Sequence, residues 1–299
     1  MGRVLVLTDD VARIRVKDNQ LIAEHRDPNE PDRSAPCEDI DLVMLDTLHG
    51  AELDTHVLRT LVACGTALVV SDAKRMPAGL FLPLHGTTGH GAVLAAQVAM
   101  SIPRKKRAWQ ALVAAKIRAQ AAVMAQGPTS RRLQRLASEV KSGDPGNLEA
   151  QAARIYWQAV LPPGERRVPG SRSGINSALD YGYAVVRALL ARAVVSTGLH
   201  PSMSVFHSSR VNPFALVDDL IEPIRALVDR HVLAVVPTPC DDLSPESKRA
   251  IVTLVTETVD YRDRCGPLTE MVERYADGYR RFVEGTDKLL DTPVLRPCG

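Results

Sequence analysis

G-L-F-L-P-L-H-G-T-T-G-H-G-A-V-L-A-A-Q-V-A-M, residues 79–100, is where the chain changes texture. Its centre, His85-Gly86-Thr87-Thr88-Gly89-His90-Gly91, places three glycines among seven residues and reads as a flexible break. Before the break the apolar runs are short and β-rich. After it they lengthen, and strand signals nearly vanish. The expected fold class is therefore α+β: a small N-terminal β-rich domain over residues 1–88, then a larger all-α domain over residues 89–299.

Working back from the break, the strand candidates are GLFLPL (79–84), ALVV (67–70), DLVML (41–45), QLIAEH (20–25), ARIRV (12–16) and VLVL (4–7). Arg13, Arg15 and Lys17 alternate with Ile14 and Val16, the period of a half-exposed strand. Lys17-Asp18-Asn19 between two runs reads as a hairpin turn. One helix, HVLRTLVAC, is capped by Asp54-Thr55 and stops at Gly65.

Working forward, VLAAQVAMSI runs to Pro103, and RKKRAWQALVAAKIRAQAAVMAQ forms a helix ended by Gly127-Pro128. RRLQRLASEV and NLEAQAARIYWQAV are further helices, separated by the turn Gly143-Asp144-Pro145-Gly146. Residues 161–173 read as a loop, and a long amphipathic helix runs from Ile175 to Thr197. Asn212-Pro213 and Ser244-Pro245 each open a helix with a capping side chain followed by proline. Tyr181, Tyr183, Trp109 and Trp157 lie in apolar surroundings and are expected in the core.

At 299 residues the chain is long enough for two domains. A hydrophobic fraction of 45% and a charged fraction of 24% are those of an ordinary globular protein. Five cysteines (Cys37, Cys64, Cys240, Cys265, Cys298) include no C-x-x-C pair, which argues against a zinc ribbon or a disulfide framework and for a reducing cytoplasm. No apolar run approaches the ~18 residues of a membrane span, and the start of the sequence has no signal-peptide pattern. The net charge of +2 conceals a strong split. Residues 101–141 carry ten Lys/Arg (Arg104, Lys105, Lys106, Arg107, Lys116, Arg118, Arg131, Arg132, Arg135, Lys141) against Glu139 alone, so this segment is +9 and the remainder −7. Such a stretch is either a solvated helix face or the meeting point for an acidic partner such as nucleic acid.

The sequence lacks G-x-x-x-x-G-K-S/T, G-x-G-x-x-G and G-x-S-x-G, which removes the usual support for nucleotide hydrolysis, dinucleotide binding and serine esterase chemistry. Acids and a histidine remain. Asp218, Asp219 and Glu222 share one expected helix, with Asp219 and Glu222 three residues apart on an otherwise apolar face. Like charges beside a buried stripe need a partner, either Arg225 or a divalent cation. Pro223 removes the hydrogen bond to the Asp219 carbonyl and should bend the helix. Each candidate also has an ordinary reading: an acid–arginine surface pair, a helix-start acid at Glu149, and a hydrogen-bonded histidine at His207.

The wording of the segments adds a resemblance. G-D-P-G-N-L-E-A-Q-A-A-R-I-Y-W (143–157), I-N-S-A-L-D-Y-G-Y-A-V-V-R-A-L-L (175–190), G-L-H-P-S-M-S-V-F-H (198–207) and N-P-F-A-L-V-D-D-L-I-E-P-I-R-A-L-V-D (212–229) closely resemble the CRISPR-associated spacer-acquisition integrases of the Cas1 family, most of all those of type II, subtype C, systems. K-D-N-Q-L (17–21), G-T-A-L-V-V-S-D (65–72), P-A-G-L-F-L-P-L-H-G (77–86) and S-I-P-R-K-K-R-A-W-Q (101–110) extend it in collinear order over nearly the whole chain.

The resemblance implies a β-rich domain that dimerises and a helical domain that binds Mg²⁺ or Mn²⁺ through Glu149, His207 and Glu222, with Asp219 as a further acid. It implies a metal-dependent endonuclease and integrase that joins short protospacer DNA to a CRISPR repeat. It also implies a homodimer, a Cas2 dimer as partner, and the type II effector nuclease as a further one. Arg104, Lys105, Lys106, Arg107, Arg131, Arg132 and Arg135 would then meet DNA phosphates. Two departures concern loops: Ser204 stands where many relatives have glycine, and R-V-P-G-S-R-S-G (167–174) lacks an aspartate expected before I-N-S-A-L. A nuclease acting on branched or duplex DNA without joining shares every ligand, and a non-catalytic DNA-binding scaffold is the alternative from another class.

Overall fold

A computed structural model of the chain describes residues 3–73, 76–83, 89–171, 174–207, 211–237 and 243–294. Residues 84–88, the heart of the break at 85–91, lie outside the described residues, as do Cys240 and Cys298. The chain divides into two compact units, residues 1–87 and 88–299.

The first unit is built from two sheets and one helix. β1 (Arg3–Leu7), β5 (Ile40–Leu45) and β7 (Ala67–Ser71) run parallel, and β8 (Pro77–Phe81) closes the edge antiparallel to β7. The second sheet has the order β4 (Arg33–Pro36), β3 (Gln20–His25), β2 (Val11–Lys17), β6 (Glu52–Leu53). The β2–β3 turn takes Asp18 and Asn19 through left-handed φ of 50° and 57°, a conformation that Asx side chains tolerate. α1 (Thr55–Ala63) starts where Asp54 accepts a hydrogen bond from the Val57 amide at 3.0 Å. Leu7, Ile14, Leu21, Ile40, Val43, Val57 and Leu68 form one apolar core from both sheets and the helix. β4 and β6 are too short to leave a readable alternation, and both are edge strands.

The second unit is mainly helical. α2 (His90–Ala99), α3 (Ile102–Ala122), α4 (Pro128–Glu139) and α5 (Leu148–Val160) come first. Pro103 and Pro128 begin α3 and α4 rather than end the runs before them, because proline fits a helix's first turn, where no amide partner is lost. α6 (Gly174–Ser196) is buried nearly all round, and α8 (Arg225–Val235), α9 (Pro245–Val252) and α10 (Leu268–Glu284) pack against it. A Cβ at Gly182 would come within 2.7 Å of Val228 Cγ1, so only glycine lets α6 and α8 approach this closely. The unit also holds an antiparallel hairpin, β9 (Thr258–Tyr261) and β10 (Arg264–Pro267), which departs from the all-α expectation. Its four-residue strands carry too little pattern to compete with the surrounding helices. No helix among the described residues is long and apolar enough to cross a membrane.

Candidate metal centre

Glu149 lies in the first turn of α5. The chain enters that helix through a left-handed Asp144 at φ 47°, and the Asp144 carboxylate accepts from the Leu148 amide at 2.9 Å and the Glu149 amide at 3.0 Å. Asp144 thus does the work of an N-cap, leaving Glu149 free to point inward. Asn147, the nominal cap, makes no side-chain hydrogen bond to the helix.

Glu222 lies at the break in the expected helix 212–229. Pro223 divides that run into α7 (Ala215–Leu220), a 3-10 turn at Glu222–Ile224, and α8. The break turns two acids three residues apart toward different partners. The Glu222 side chain, only 7% exposed, accepts from Arg225 Nε at 2.9 Å and faces Lys116 Nζ at 2.6 Å. Burial alone would raise its carboxyl above the usual range, but Arg225 and Lys116 more than offset it and hold it below. Lys116 Nζ also lies 2.6 Å from Glu149 Oε1. One ammonium on α3 therefore joins carboxylates from α5 and the 3-10 turn. Burial would lower the Lys116 ammonium, and the two carboxylates raise it.

His207 is held differently. Asp219, 0% exposed, accepts from the Val205 amide at 2.7 Å and the Phe206 amide at 2.9 Å through Oδ2, and meets His207 Nδ1 through Oδ1 at 2.5 Å. A carboxylate oxygen accepts here, so in the neutral imidazole the proton sits on Nδ1 and Nε2 keeps its lone pair. The hydrogen bond to Asp219 raises the imidazole's affinity for a proton, burial opposes it, and the charges of Asp219, Glu149 and Glu222 add to the rise. The Phe206 ring stacks on buried Trp109 at 4.4 Å, which fixes the loop bearing the histidine. Both oxygens of Asp219 are engaged with this loop, so the expected fourth acid serves the histidine rather than facing Lys116.

Glu149 and Glu222 thus meet at one cation, and His207 lies within electrostatic reach of both. As the side chains stand, no three His, Cys, Asp or Glu among the described residues are arranged to hold one ion. The donor set nonetheless suits a divalent cation. A cation between the two carboxylates is already present as Lys116 Nζ, and the oxygens plus one imidazole nitrogen match Mg²⁺ and the more nitrogen-tolerant Mn²⁺.

Of the basic residues expected to meet DNA, Arg131, Arg132 and Arg135 are exposed on α4, and Lys106 and Arg107 are exposed on α3. Lys105 is half-buried. Arg104 is turned to another use: it donates to the backbone carbonyls of Phe282 and Asp287 and lies over the Phe282 ring at 4.3 Å. Lys116, counted in the same basic segment, is spent on the two glutamates. Behind Glu222 lies a cavity of about 480 Å³ bordered by Lys116, Trp157, Arg167, Arg187 and Arg225. Trp157 is half-buried at its wall with Arg167 5.9 Å away, not sealed in the core as expected. Trp109, Tyr181 and Tyr183 are buried.

Sequence reasoning missed Lys116, Asp144 and Asp229. Asp229, buried on α8, accepts from Tyr156 Oη of α5 at 3.0 Å and from Tyr183 Oη of α6. Burial pushes its carboxyl up to about 6 even though both tyrosines and Arg225 favour the charged form. Lys116 had a readable signal: a lone cation in A-L-V-A-A-K-I (111–117), an otherwise apolar run, needs an acid. The loop at 167–174, short of its expected aspartate, is anchored by Asp180, which accepts from the Gly170 amide at 2.7 Å and pairs with Arg167, and by Asn176. Arg172 and Ser173 in that loop lie outside the described residues.

The family model of the CRISPR associated protein Cas1 matches residues 5–239. A CRISPR-associated endonuclease Cas1 from Neisseria meningitidis is 36% identical over 231 residues, covering 76% of this chain and 74% of the relative. Among solved structures, a casposase bound to integration product superposes with a TM-score of 0.80 at 19% identity, covering 97% of this chain and 93% of that one. A Cas6-RT-Cas1–Cas2 complex gives a TM-score of 0.72 at 18% identity, covering 100% of this chain and 36% of that much longer one. At these identities the two structures speak for the fold, whereas the family model and the meningococcal relative speak for descent. The chain belongs to the Cas1 family of CRISPR-associated proteins.

Proposed function

We propose that this protein is a metal-dependent DNA integrase of CRISPR adaptation, which joins short protospacer DNA to the CRISPR repeat. A 3′-hydroxyl attacks a phosphodiester, one P–O bond forms as another breaks, and the displaced strand leaves with a free 3′-hydroxyl. The observation that carries the reading is the convergence of Glu149 and Glu222, from separate elements, on a single cation position, beside a histidine oriented by a buried aspartate.

Glu149 and Glu222 would hold Mg²⁺ or Mn²⁺, with Nε2 of His207 as the nitrogen donor. When bound, the ion supplies Lewis-acid relief of charge on the phosphate and a lower pKa for the attacking hydroxyl. The rest belongs to the chain. Asp219 fixes the imidazole tautomer and ring direction. Arg225 offsets the charge of Glu222, so that a second carboxylate is tolerated beside it. Arg131, Arg132, Arg135, Lys106 and Arg107 neutralise DNA phosphates without reading sequence, which suits a protein that accepts many protospacers. The meningococcal relative is named an endonuclease, and the Cas6-RT-Cas1–Cas2 complex contains both Cas1 and Cas2. The first name favours a nucleic-acid substrate, taken here as DNA, and the second favours Cas2 as partner; that Cas2 acts as a dimer and this chain as a homodimer follows from the family resemblance alone.

The test incubates the purified protein, with and without its Cas2 partner, with short duplex DNA and a supercoiled plasmid carrying a CRISPR repeat, in Mg²⁺, Mn²⁺ or EDTA. Metal-dependent joining that is lost in His207→Ala is the expected result. Cleavage without joining would favour a nuclease, and binding without either would leave a DNA-binding scaffold.

A further inference from the structure

Two carboxylates brought together from different helices need counter-charge, and this chain supplies its own. Lys116 Nζ lies 2.6 Å from Glu149 Oε1 and 2.6 Å from Glu222 Oε2, while Arg225 Nε takes the other Glu222 oxygen at 2.9 Å. The formal charges of these four groups sum to zero. The Lys116 and Glu222 side chains are only 13% and 7% exposed, so water screens them poorly. A divalent ion added to this balanced cluster would leave two uncompensated positive charges in a poorly solvated place. The same ion arriving as the ammonium departs would find the carboxylates already gathered. The lysine also has somewhere to go: its side chain borders the cavity of about 480 Å³ that Glu222 lines, where Gln120 Oε1 is buried without a hydrogen-bond partner and where Asp180 and Asp218 stand paired with Arg167 and Arg187.

We infer that Lys116 is an internal cation that keeps the divalent ion's place, and that ion loading requires its ammonium to leave the position between Glu149 and Glu222. The inference rests on the metal-site reading above. Its consequence is a metal-free protein whose carboxylates are held in position and whose intrinsic affinity for divalent ions is low. An incoming DNA phosphate, by adding negative charge, would help to draw the ammonium away and favour loading.

The test is a titration of Mn²⁺ into the full chain without DNA, reading free ion by electron paramagnetic resonance. Lys116→Met is expected to lower the Kd by about tenfold or more, whereas Lys116→Arg, which keeps a cation there, is expected to stay within roughly threefold of the parent. An unchanged or higher Kd in Lys116→Met overturns the inference. Because removing the lysine takes the shared counter-charge from Glu149 and leaves Glu222 with Arg225 alone, and so can unfold the protein, a second measurement uses the unaltered chain. Acetic anhydride labelling followed by mass spectrometry should modify Lys116 faster in Mn²⁺ than in EDTA, and equal or slower labelling overturns the inference. Failure of the parent reading looks different. The wild-type protein would then show no metal-dependent joining, whereas a Kd indifferent to Lys116 leaves joining intact.

Discussion

Asp219 and Glu222 stand three residues apart, at the break that Pro223 makes, and serve opposite halves of the site. Glu222 belongs to a half made of side chains: carboxylates from two elements are held by Lys116 and Arg225. Asp219 belongs to a half made of main chain: two consecutive loop amides and one imidazole hang on a single buried carboxylate. The first half depends on charge balance, so it answers to cations and to neutralising mutations. The second depends on hydrogen-bond geometry, so it answers to loss of an acceptor. Each half is fixed by a residue that the chain brings from far away.

The largest effect should come from the charge-balanced half. Glu222→Ala removes the shared partner of Lys116 and Arg225, and breaking a buried pair costs about 3–5 kcal/mol of stability. Chemical denaturation should therefore show a larger loss for Glu222→Ala than for Glu149→Ala, whose side chain is 21% exposed. Equal losses would mean that Lys116 relies on the two carboxylates alike.

Asp229 clamps α5 to α6 and α8 through Tyr156 and Tyr183, and so supports the same half. Its carboxyl is raised to about 6 from an ordinary 3.8. A raised acid binds its proton more tightly in the folded state, so the stability it contributes is full below about pH 4 and is lost as pH rises toward 6. The loss is up to ~3 kcal/mol, at about 1.4 kcal/mol per unit. Unfolding midpoints of Asp229→Asn should lack this component between those pH values. A variant profile parallel to the wild-type profile would break the assignment.

On the other half, Asp219→Asn keeps the size of the side chain but loses an acceptor and the fixed tautomer of His207. Loss of such an outer partner costs about 10–100-fold in metal affinity or activity. Hydrogen exchange at the Val205 and Phe206 amides should rise in the same variant, which links the functional loss to the loop. Activity lost with the amides still protected would point instead to direct contact of Asp219 with the ion. The smallest effect is expected at Asp144→Ala, which removes the acceptor for the Leu148 and Glu149 amides and should cost about 1 kcal/mol in thermal or chemical unfolding.

Much of the fold was legible because its signals are local. The alternation of residues 12–16, the Asx turn at Asp18-Asn19 and the cap at Asp54 each need only a few neighbours to act, and each forms as read. The short strands β4, β6, β9 and β10 were not legible, since four residues or fewer leave no period to detect and their pairing partners supply the stability. Pro103 and Pro128 were read as stops but begin helices, because the same ring that ends one helix fits the first turn of the next.

For the site, the sequence by itself determined which acids and which histidine are available, that the helix should bend at Pro223, and that a strongly basic segment lies between residues 101 and 141. Only the tertiary structure decided how those groups are spent. It sent Lys116 inward to two glutamates and Arg104 to the carbonyls of Phe282 and Asp287, and it turned Asp219 toward the histidine loop while Glu222 faced the lysine. The physical reason is that charge pairing depends on distance through space and on burial, both set when α3, α5 and the turn at Glu222 pack together. Composition fixes the charges, and packing chooses their partners.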